Sequence, residues 1–198
     1  MYEQTDRLST YERFQSMTVP PPRRADAERN RDKIVAAAAR AFAESDGEVS
    51  MAEIARRAGV GMATLYRNFP GRKDLLEALF TSEVDTICET VSAAGGESPG
   101  ASLSSWLHRF HTFSMNKRRV ALEILKHTDT SDPLFGNSRS KVLVAGRPLL
   151  DAAQKAGEIR EDLVLEQMLD MVVAIATING SPDYIEPILD AAIDGLRA

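Results

Sequence analysis

The sequence contains a single cysteine, Cys88, so the chain cannot form an internal disulfide bond. Its expected role is that of a small, buried apolar side chain on a helix. The longest uncharged apolar run near the C-terminus, residues 171–178, is far shorter than the ~18–20 residues that span a bilayer. The N-terminus lacks the apolar core of a signal peptide. Together these absences favour a cytoplasmic protein.

Residue clusters typical of enzymes are also missing. The sequence has no His-Glu-x-x-His motif, no cysteine cluster, no phosphate-binding glycine loop and no nucleophile at motif spacing from a base. His108 and His111 share one predicted helix and His127 lies on the next. Without a matching carboxylate or cysteine set, they are expected to be polar residues rather than metal ligands. We therefore expect no catalytic activity, no cofactor and no metal.

A positive net charge is absent as well, since the chain carries −5, but the charges are unevenly distributed. Residues 22–73 have 11 Lys and Arg against 7 Asp and Glu, whereas residues 74–198 have 11 against 19. A basic surface attracts nucleic-acid phosphates. The asymmetry predicts that the N-terminal end binds DNA and that the acidic remainder does something else. The short basic run at residues 117–119 is expected to be a solvated helix start.

The segment SMAEIARRAGVGMATLYRNF, residues 50–69, predicts two short helices joined by a tight turn. Ser50 and Glu53 have the S-x-x-E spacing of a capping box, in which each side chain binds the backbone N–H of the other residue. Gly59 stands at the corner, where a positive φ is needed. This pattern is typical of a helix-turn-helix.

The second of these helices, predicted over residues 62–68, has one apolar and one polar side. Leu65 and Phe69 are spaced to face inward. The outward side chains offer hydroxyl, guanidinium and amide groups: Thr64, Tyr66, Arg67 and Asn68. A helix of this kind is suited to a DNA major groove. An ordinary helical hairpin with a polar outer face is the alternative.

Helical periodicity dominates the rest of the sequence, and no strand pattern of useful length occurs. Further helices are predicted at about 27–43, 72–93, 101–115, 118–127, 138–156, 163–178 and 182–196. The predicted fold is all-α, with an N-terminal three-helix helix-turn-helix domain and a C-terminal helical ligand-binding and dimerisation domain. We place a flexible basic, proline-rich arm at 1–24, the DNA-binding domain at 25–72, a connector helix at 73–94 and the helical domain at 95–198.

Residues 29–80 resemble the N-terminal domain of the TetR family of transcriptional regulators. The resemblance is carried by Ile34, Phe42, Ile54-Ala55-x-x-Ala58-Gly59-Val60, Thr64-Leu65-Tyr66-x-x-Phe69 and Lys73-x-x-Leu76. It implies a homodimer whose two recognition helices enter successive major grooves of a near-palindromic, double-stranded operator. Half-sites would then lie about 34–36 Å apart, or a multiple of that distance.

The resemblance also implies roles for individual residues. Tyr66 and Lys73 would bind phosphates, with Thr64 close to the DNA backbone, while Met62, Ala63 and Arg67 would lie nearest the base edges. The complete predicted DNA-binding set is Ser50, Met62, Ala63, Thr64, Tyr66, Arg67, Asn68 and Lys73. For Met62, partial burial against the first helix is the alternative. Gly61 departs from the family pattern, because it starts the recognition helix without the hydroxyl that is common there.

For the acidic half, the resemblance implies a small-molecule site and a dimer interface. The predicted pocket for an apolar effector comprises Trp106, Phe110, Phe113, Leu122, Leu125, Met168 and Met171. The predicted dimer interface comprises Met168, Val172, Ile175, Ile185, Ile188, Leu189 and Ala192. Apolar residues at helical spacing suit an ordinary core equally well, so core packing is the alternative for both sets.

The leading interpretation is a DNA-binding repressor that a small-molecule effector releases from its operator. An activator, or a regulator without any effector, fits the same sequence. A protein-interaction module that uses the apolar C-terminal helices is a further alternative. An all-α enzyme with a DNA-binding leader ranks last, because no catalytic motif supports it.

Overall fold

The computed structural model describes residues 22–44, 49–92, 98–129 and 131–198, and most of those residues lie in helices. The helices are α1 (Pro22–Glu44), α2 (Met51–Ala58), α3 (Met62–Asn68), α4 (Arg72–Glu89), α5 (Pro99–Leu125), α6 (Pro133–Lys155), α7 (Leu165–Ala176) and α8 (Pro182–Asp194). These ranges contain no β-strand, only an isolated antiparallel bridge between Ile159 and Arg197. The all-α prediction is confirmed.

The first three helices form the small N-terminal core. α1 packs across both α2 and α3, and its apolar side, including Ile34 and Ala38, is buried against Ile54 and Leu65. α1 begins at Pro22, so residues 22–24 are helical rather than part of an extended arm. The predicted arm over residues 1–21 and the predicted end of this helix at residues 46–47 lie outside the described residues.

The connector helix α4 links this core to the rest of the molecule. It packs on α1, α5 and α6, and Leu75, Leu76 and Leu79 are buried. The Asp74 carboxylate accepts a hydrogen bond of 2.8 Å from the Gly71 N–H and so caps the start of α4. Only three residues separate α3 from α4, so the end of α3 and the start of α4 are close together in the chain.

The predicted break between helices at residues 115–118 is wrong, because α5 runs without interruption from Pro99 to Leu125. Lys117 is not part of a solvated helix start, since its side chain is only 6% exposed. Its ammonium donates a 2.7 Å hydrogen bond to the carbonyl oxygen of Phe80 in α4. The tertiary contact explains why a charged residue lies within the buried side of a long helix.

α6 begins five residues earlier than predicted, at Pro133. The Asp132 carboxylate accepts a 2.9 Å hydrogen bond from the Leu134 N–H, which gives the helix a cap upstream of Gly136. Gly136 and Asn137, which precede the predicted start of this helix at residue 138, therefore lie inside its first turns. Gly157, just after the end of this helix, adopts a positive φ of 69°, which glycine takes without steric cost.

The last two helices close the C-terminal half. α7 packs on α5 and α6, and α8 packs on α7 and α5. Pro182 occupies the first position of α8, as its spacing after Ser181 predicts. Within the described ranges, no helix is both long enough and apolar enough to cross a bilayer.

Candidate nucleic-acid interface

The turn between α2 and α3 has the predicted geometry. Gly59 adopts φ 67°, and its N–H and that of Val60 bond back to the end of α2. The Ser50 hydroxyl accepts a 3.1 Å hydrogen bond from the Glu53 N–H. The capping box is formed only in this direction, because the Glu53 carboxylate accepts from the guanidinium groups of Arg56 (2.9 Å) and Arg57 (2.6 Å). These hydrogen bonds lower the pKa of Glu53 to about 2.

α3 is anchored on one side and open on the other. Leu65 and Phe69 are almost fully buried beneath α1. On the outer side Met62 is 40% exposed and Tyr66 is 47% exposed. The remaining outward positions, Ala63 and Arg67, are exposed and Thr64 is partly exposed. Met62 is therefore not buried against α1.

Two features at the end of α3 were not predicted from the sequence. The Asn68 side-chain amide donates a 2.8 Å hydrogen bond to the Thr64 carbonyl oxygen within the helix. The Arg31 guanidinium lies 3.4 Å from the Asn68 carbonyl oxygen and 4.5 Å from the centre of the Phe69 ring. Arg31 therefore places a cation at the C-terminal end of α3, where the helix dipole is favourable for it. Because Arg31 lies on the solvent-facing side of α1, the sequence did not indicate that it contacts the end of α3.

Lys73, predicted to bind a phosphate, lies in the first turn of α4. Its ammonium is 3.4 Å from the Glu77 carboxylate and 4.0 Å from the Asp132 carboxylate. Because the side chain is 43% exposed, the ammonium remains open to solvent and to a DNA phosphate. Asp132 belongs to the acidic half, so this lysine also joins the two halves of the chain.

Two arginines make further contacts between the halves. Arg72 bonds to the Val49 carbonyl, and its guanidinium lies 3.5 Å from the Glu123 carboxylate of α5. The guanidinium group of Arg119 in α5 donates a 3.2 Å hydrogen bond to the carbonyl oxygen of Phe42 near the end of α1. Long-range hydrogen bonds of this kind leave no periodic signal in a sequence.

The residues of the predicted effector pocket lie in several different parts of the structure. Trp106 and Met168 are buried, and the rings of Trp106, Phe110 and Phe113 follow one another at 5.9 and 5.7 Å between centroids. Phe113 lines a cleft between α4 and α5, whereas the exposed Leu122 lines a different cleft beside the α7–α8 turn. The aromatic stack fills the space between helices, so the seven predicted side chains do not surround a single cavity. Leu125 and Met171 are partly buried.

Most of the predicted interface residues are buried within this chain. The buried members are Met168, Val172, Ile175, Ile185 and Leu189, while Ile188 and Ala192 are partly exposed. The exposed apolar side chains of the same helices are different ones, Val173 on α7 and Tyr184, Pro187 and Ala191 on α8. Periodicity located an apolar side of each helix but not which neighbour covers it.

The histidines and the cysteine are dispersed. His108 lies 3.5 Å from the Asp190 carboxylate, and His111 is buried, where burial lowers its pKa. His127 is exposed, and Cys88 is partly buried, which raises the pKa of its thiol. In the part of the chain that the structure describes, no group of three or more His, Cys, Asp or Glu side chains could hold a metal ion.

Comparison with known proteins extends these observations. Residues 34–79 match the family described as "Bacterial regulatory proteins, tetR family", and residues 98–198 match "Transcriptional regulator SbtR-like, C-terminal domain". An uncharacterized HTH-type transcriptional regulator from Mycobacterium bovis is 26% identical over 73% of this chain and 76% of its own length. An HTH-type transcriptional regulator from Staphylococcus aureus is 40% identical over 63 residues, which are 31% of this chain and 34% of that protein.

Solved structures give the same result over most of the chain. A TetR transcriptional regulator from Streptomyces coelicolor is 37% identical, with a TM-score of 0.69 over 84% of this chain and 98% of that one. A TetR regulatory protein from Mycobacterium vanbaalenii is 30% identical, with a TM-score of 0.70 over 89% of this chain and 100% of that one. This chain therefore belongs to the TetR family of transcriptional regulators, which are DNA-binding regulators and not enzymes.

Proposed function

We propose that this protein is a repressor that binds a near-palindromic operator as a homodimer and leaves it when a small, largely apolar effector binds. The observation that carries the proposal is the two-sided character of α3. Leu65 and Phe69 fix the helix on the N-terminal core, while Met62, Tyr66 and Arg67 project from its exposed side. A rigidly seated helix with exposed polar and apolar groups can enter a major groove.

The proposed roles follow from the chemistry of each exposed group. Tyr66, Thr64 and Lys73 would hold phosphates and fix the register of α3 on the duplex. Arg67 would bind the edge of a guanine, and Met62 and Ala63 would contact thymine methyl groups. Ser50 and Asn68 are used within the protein as a cap and a helix contact, so their part in DNA binding would be to hold α2 and α3 in place.

A homodimer is supported by the exposed apolar stripe on the last two helices. On α8, Tyr184, Pro187, Ile188 and Ala191 follow the spacing of one helix side and are exposed or partly exposed. Val173 of α7 is 41% exposed. Pairing these helices across a two-fold axis would form a four-helix bundle and remove the apolar surface from water. A symmetric dimer would present two copies of α3 to a symmetric operator.

Release by an effector requires that the acidic half be coupled to α3. The contacts of Arg72 with Glu123 and of Arg119 with the Phe42 carbonyl connect α5 to the N-terminal core. A ligand that prefers one position of α4 over another would shift the population of DNA-competent dimers by its difference in affinity for the two states.

The test is a selection of genomic fragments by the purified full chain, followed by a reporter assay with the selected promoter. We expect one or a few fragments with an inverted repeat, a protein dimer by light scattering, and lower reporter expression when the protein is present. Enrichment of no sequence would contradict the proposal. Raised reporter expression would overturn the repressor part and favour an activator.

A further inference from the structure

A cleft of about 370 Å³ separates α4 from α5 on one side of the molecule. Its walls are one stripe from each helix, with positions spaced as i, i+3, i+4 and i+7. The lining residues are Glu83, Thr86 and Ile87 from α4 with its C-cap Thr90, and Arg109, Thr112, Phe113 and Asn116 from α5. The volume is at the lower end of the range for small-molecule sites.

The α5 side chains that flank the cleft hold the two helices together at both ends. The Trp106 indole N–H lies 3.4 Å from the carbonyl oxygen of Ile87. At the other end, the Lys117 ammonium donates a 2.7 Å hydrogen bond to the Phe80 carbonyl. We call these two contacts, made by Trp106 and Lys117, the clamps between α5 and α4. Because both acceptors are backbone atoms of α4, the cleft lies between two fixed points rather than in a loosely packed region.

Within the described residues, one side chain that lines the cleft has an unsatisfied polar atom: the Oε2 atom of Glu83 is buried and has no hydrogen-bond partner. A buried carboxylate oxygen without a donor is unfavourable, so such atoms usually have a function or an unseen partner. Burial raises the pKa of Glu83, with Lys117 opposing the shift. The missing partner is a hydrogen-bond donor, preferably a cationic one.

The surroundings of Glu83 already accommodate one ammonium group. The Lys117 Nζ lies 3.4 Å from the centre of the Phe80 ring and 4.5 Å from the centre of the Phe113 ring. Aromatic faces attract cations. Phe113 also lines the cleft, so a second ammonium would meet the same ring together with the Glu83 carboxylate.

We propose that this cleft binds a small organic amine, with its ammonium group on the Glu83 carboxylate and its apolar body between Ile87 and Phe113. The three threonines and Asn116 supply hydroxyl and amide groups for the rest of the ligand. Arg109 is exposed at the rim, where its charge is screened by water. The chemistry of the unsatisfied atom favours a donor ligand over an anion.

That the amine is the effector rests on the proposed function. Three of the lining residues belong to α4 and a fourth, Thr90, caps its end; α4 begins three residues after α3, the proposed recognition helix. A cation on Glu83 would repel the Lys117 ammonium and weaken its bond to the Phe80 carbonyl. Binding would thereby loosen one of the two clamps between α5 and α4.

The test is isothermal titration calorimetry of the full chain without DNA. The probes are 2-phenylethylamine, the neutral 2-phenylethanol and the anionic 3-phenylpropanoate. We expect only the amine to bind measurably. Glu83→Gln should weaken amine binding by about tenfold or more, since it removes a charged hydrogen-bond acceptor. Glu89→Gln is the matched control, because Glu89 is an exposed carboxylate of the same helix outside this cleft, and it should bind as wild type does.

A second readout does not depend on affinity. A cation beside Glu83 and Lys117 favours loss of a proton from both groups, so binding at pH 7 should release protons, seen as a heat difference between phosphate and Tris buffers. Glu83→Gln should reduce this release. Equal binding of amine and alcohol, no binding of the amine, or an unchanged affinity in Glu83→Gln would each overturn the inference. Because DNA is absent, these outcomes are independent of whether the protein binds an operator.

Discussion

The ammonium group of Lys73, in the first turn of α4, lies 4.0 Å from the carboxylate of Asp132, which caps α6. A lysine proposed to bind a DNA phosphate is therefore also attracted by the acidic half of its own chain. In the proposed complex, Asp132 and a DNA phosphate would compete for the Lys73 ammonium, and the position of α6 would then affect the strength of DNA binding.

We expect Asp132→Asn to strengthen operator binding by about two- to threefold, because it removes one of the two carboxylates, the other being Glu77, that compete with a DNA phosphate for Lys73. Asparagine can still cap α6 through its side-chain oxygen. Fluorescence anisotropy at fixed salt measures the effect. In a Lys73→Ala background the gain should shrink, and an equal gain there would show that the ion pair is not its cause.

Gly61→Ser should stabilise the protein by about 0.5–1 kcal/mol, since serine can cap α3 and restricts the unfolded chain. Gly61 has φ −72° and ψ 154°, which serine adopts readily, and no described atom lies within 4 Å of a Cβ built there. Urea unfolding measures the change. Gly59→Ser, at φ 67°, is the matched control and should destabilise by about 1 kcal/mol. Equal effects at the two positions would contradict the assigned backbone geometry.

Gly146→Ala should destabilise the protein by about 1–3 kcal/mol, because a Cβ at this position would overlap the buried indole of Trp106. Gly136→Ala, in the same helix, meets no described atom within 4 Å and should stabilise by up to about 1 kcal/mol. Thermal or urea unfolding of the two variants separates packing from helix propensity. Stabilisation by both substitutions would show that Trp106 does not pack against α6.

Burial gives Lys117 a pKa of about 7 in the folded protein, against an ordinary value of 10.5. Between these values the unfolded chain holds a proton that the folded protein has released. The free energy of unfolding therefore rises with pH through this window, by at most about 1.4 kcal/mol per pH unit, and is flat with respect to this group below it.

Lys117→Met removes this dependence. We expect the variant to gain stability relative to wild type at pH 6.5, and the difference between the two to narrow as pH rises to 9. Urea unfolding at pH 6.5, 8 and 9 gives the comparison. Parallel stability curves for the two proteins would show that Lys117 has the same affinity for protons in the folded and unfolded states.

The local parts of the fold were predictable from the sequence. Gly59 and the Leu65–Phe69 pair specify the α2–α3 turn through interactions between residues that are close in the chain. The bounds of α2 and α3 follow from these signals. The outward positions of α3 could also be predicted. Once Leu65 and Phe69 are assigned to the buried side of the helix, the remaining side must face solvent.

The features that depend on distant neighbours were not predictable. The sequence alone predicts that residues 117–119 are a solvated helix start. The hydrogen bond from the Lys117 ammonium to the Phe80 carbonyl, which explains their actual position, joins residues far apart in the chain. A glycine such as Gly136 often interrupts a helix, but here the cap by Asp132 starts α6 upstream of it. Apolar positions such as Met168 and Leu189 were identified as one side of a helix, but a sequence does not say whether the same chain or a partner covers that side.

If α3 reads the DNA sequence, Arg67→Ala should remove part of the preference for the operator. The measurement is fluorescence anisotropy of wild type, Arg67→Ala and Tyr66→Phe on the selected operator and on a scrambled duplex, at several salt concentrations. Arg67→Ala should lose about 1–3 kcal/mol of preference for the operator, while Tyr66→Phe should weaken binding to both duplexes alike. If Arg67→Ala keeps the wild-type preference at every salt concentration, α3 is not the element that reads the sequence.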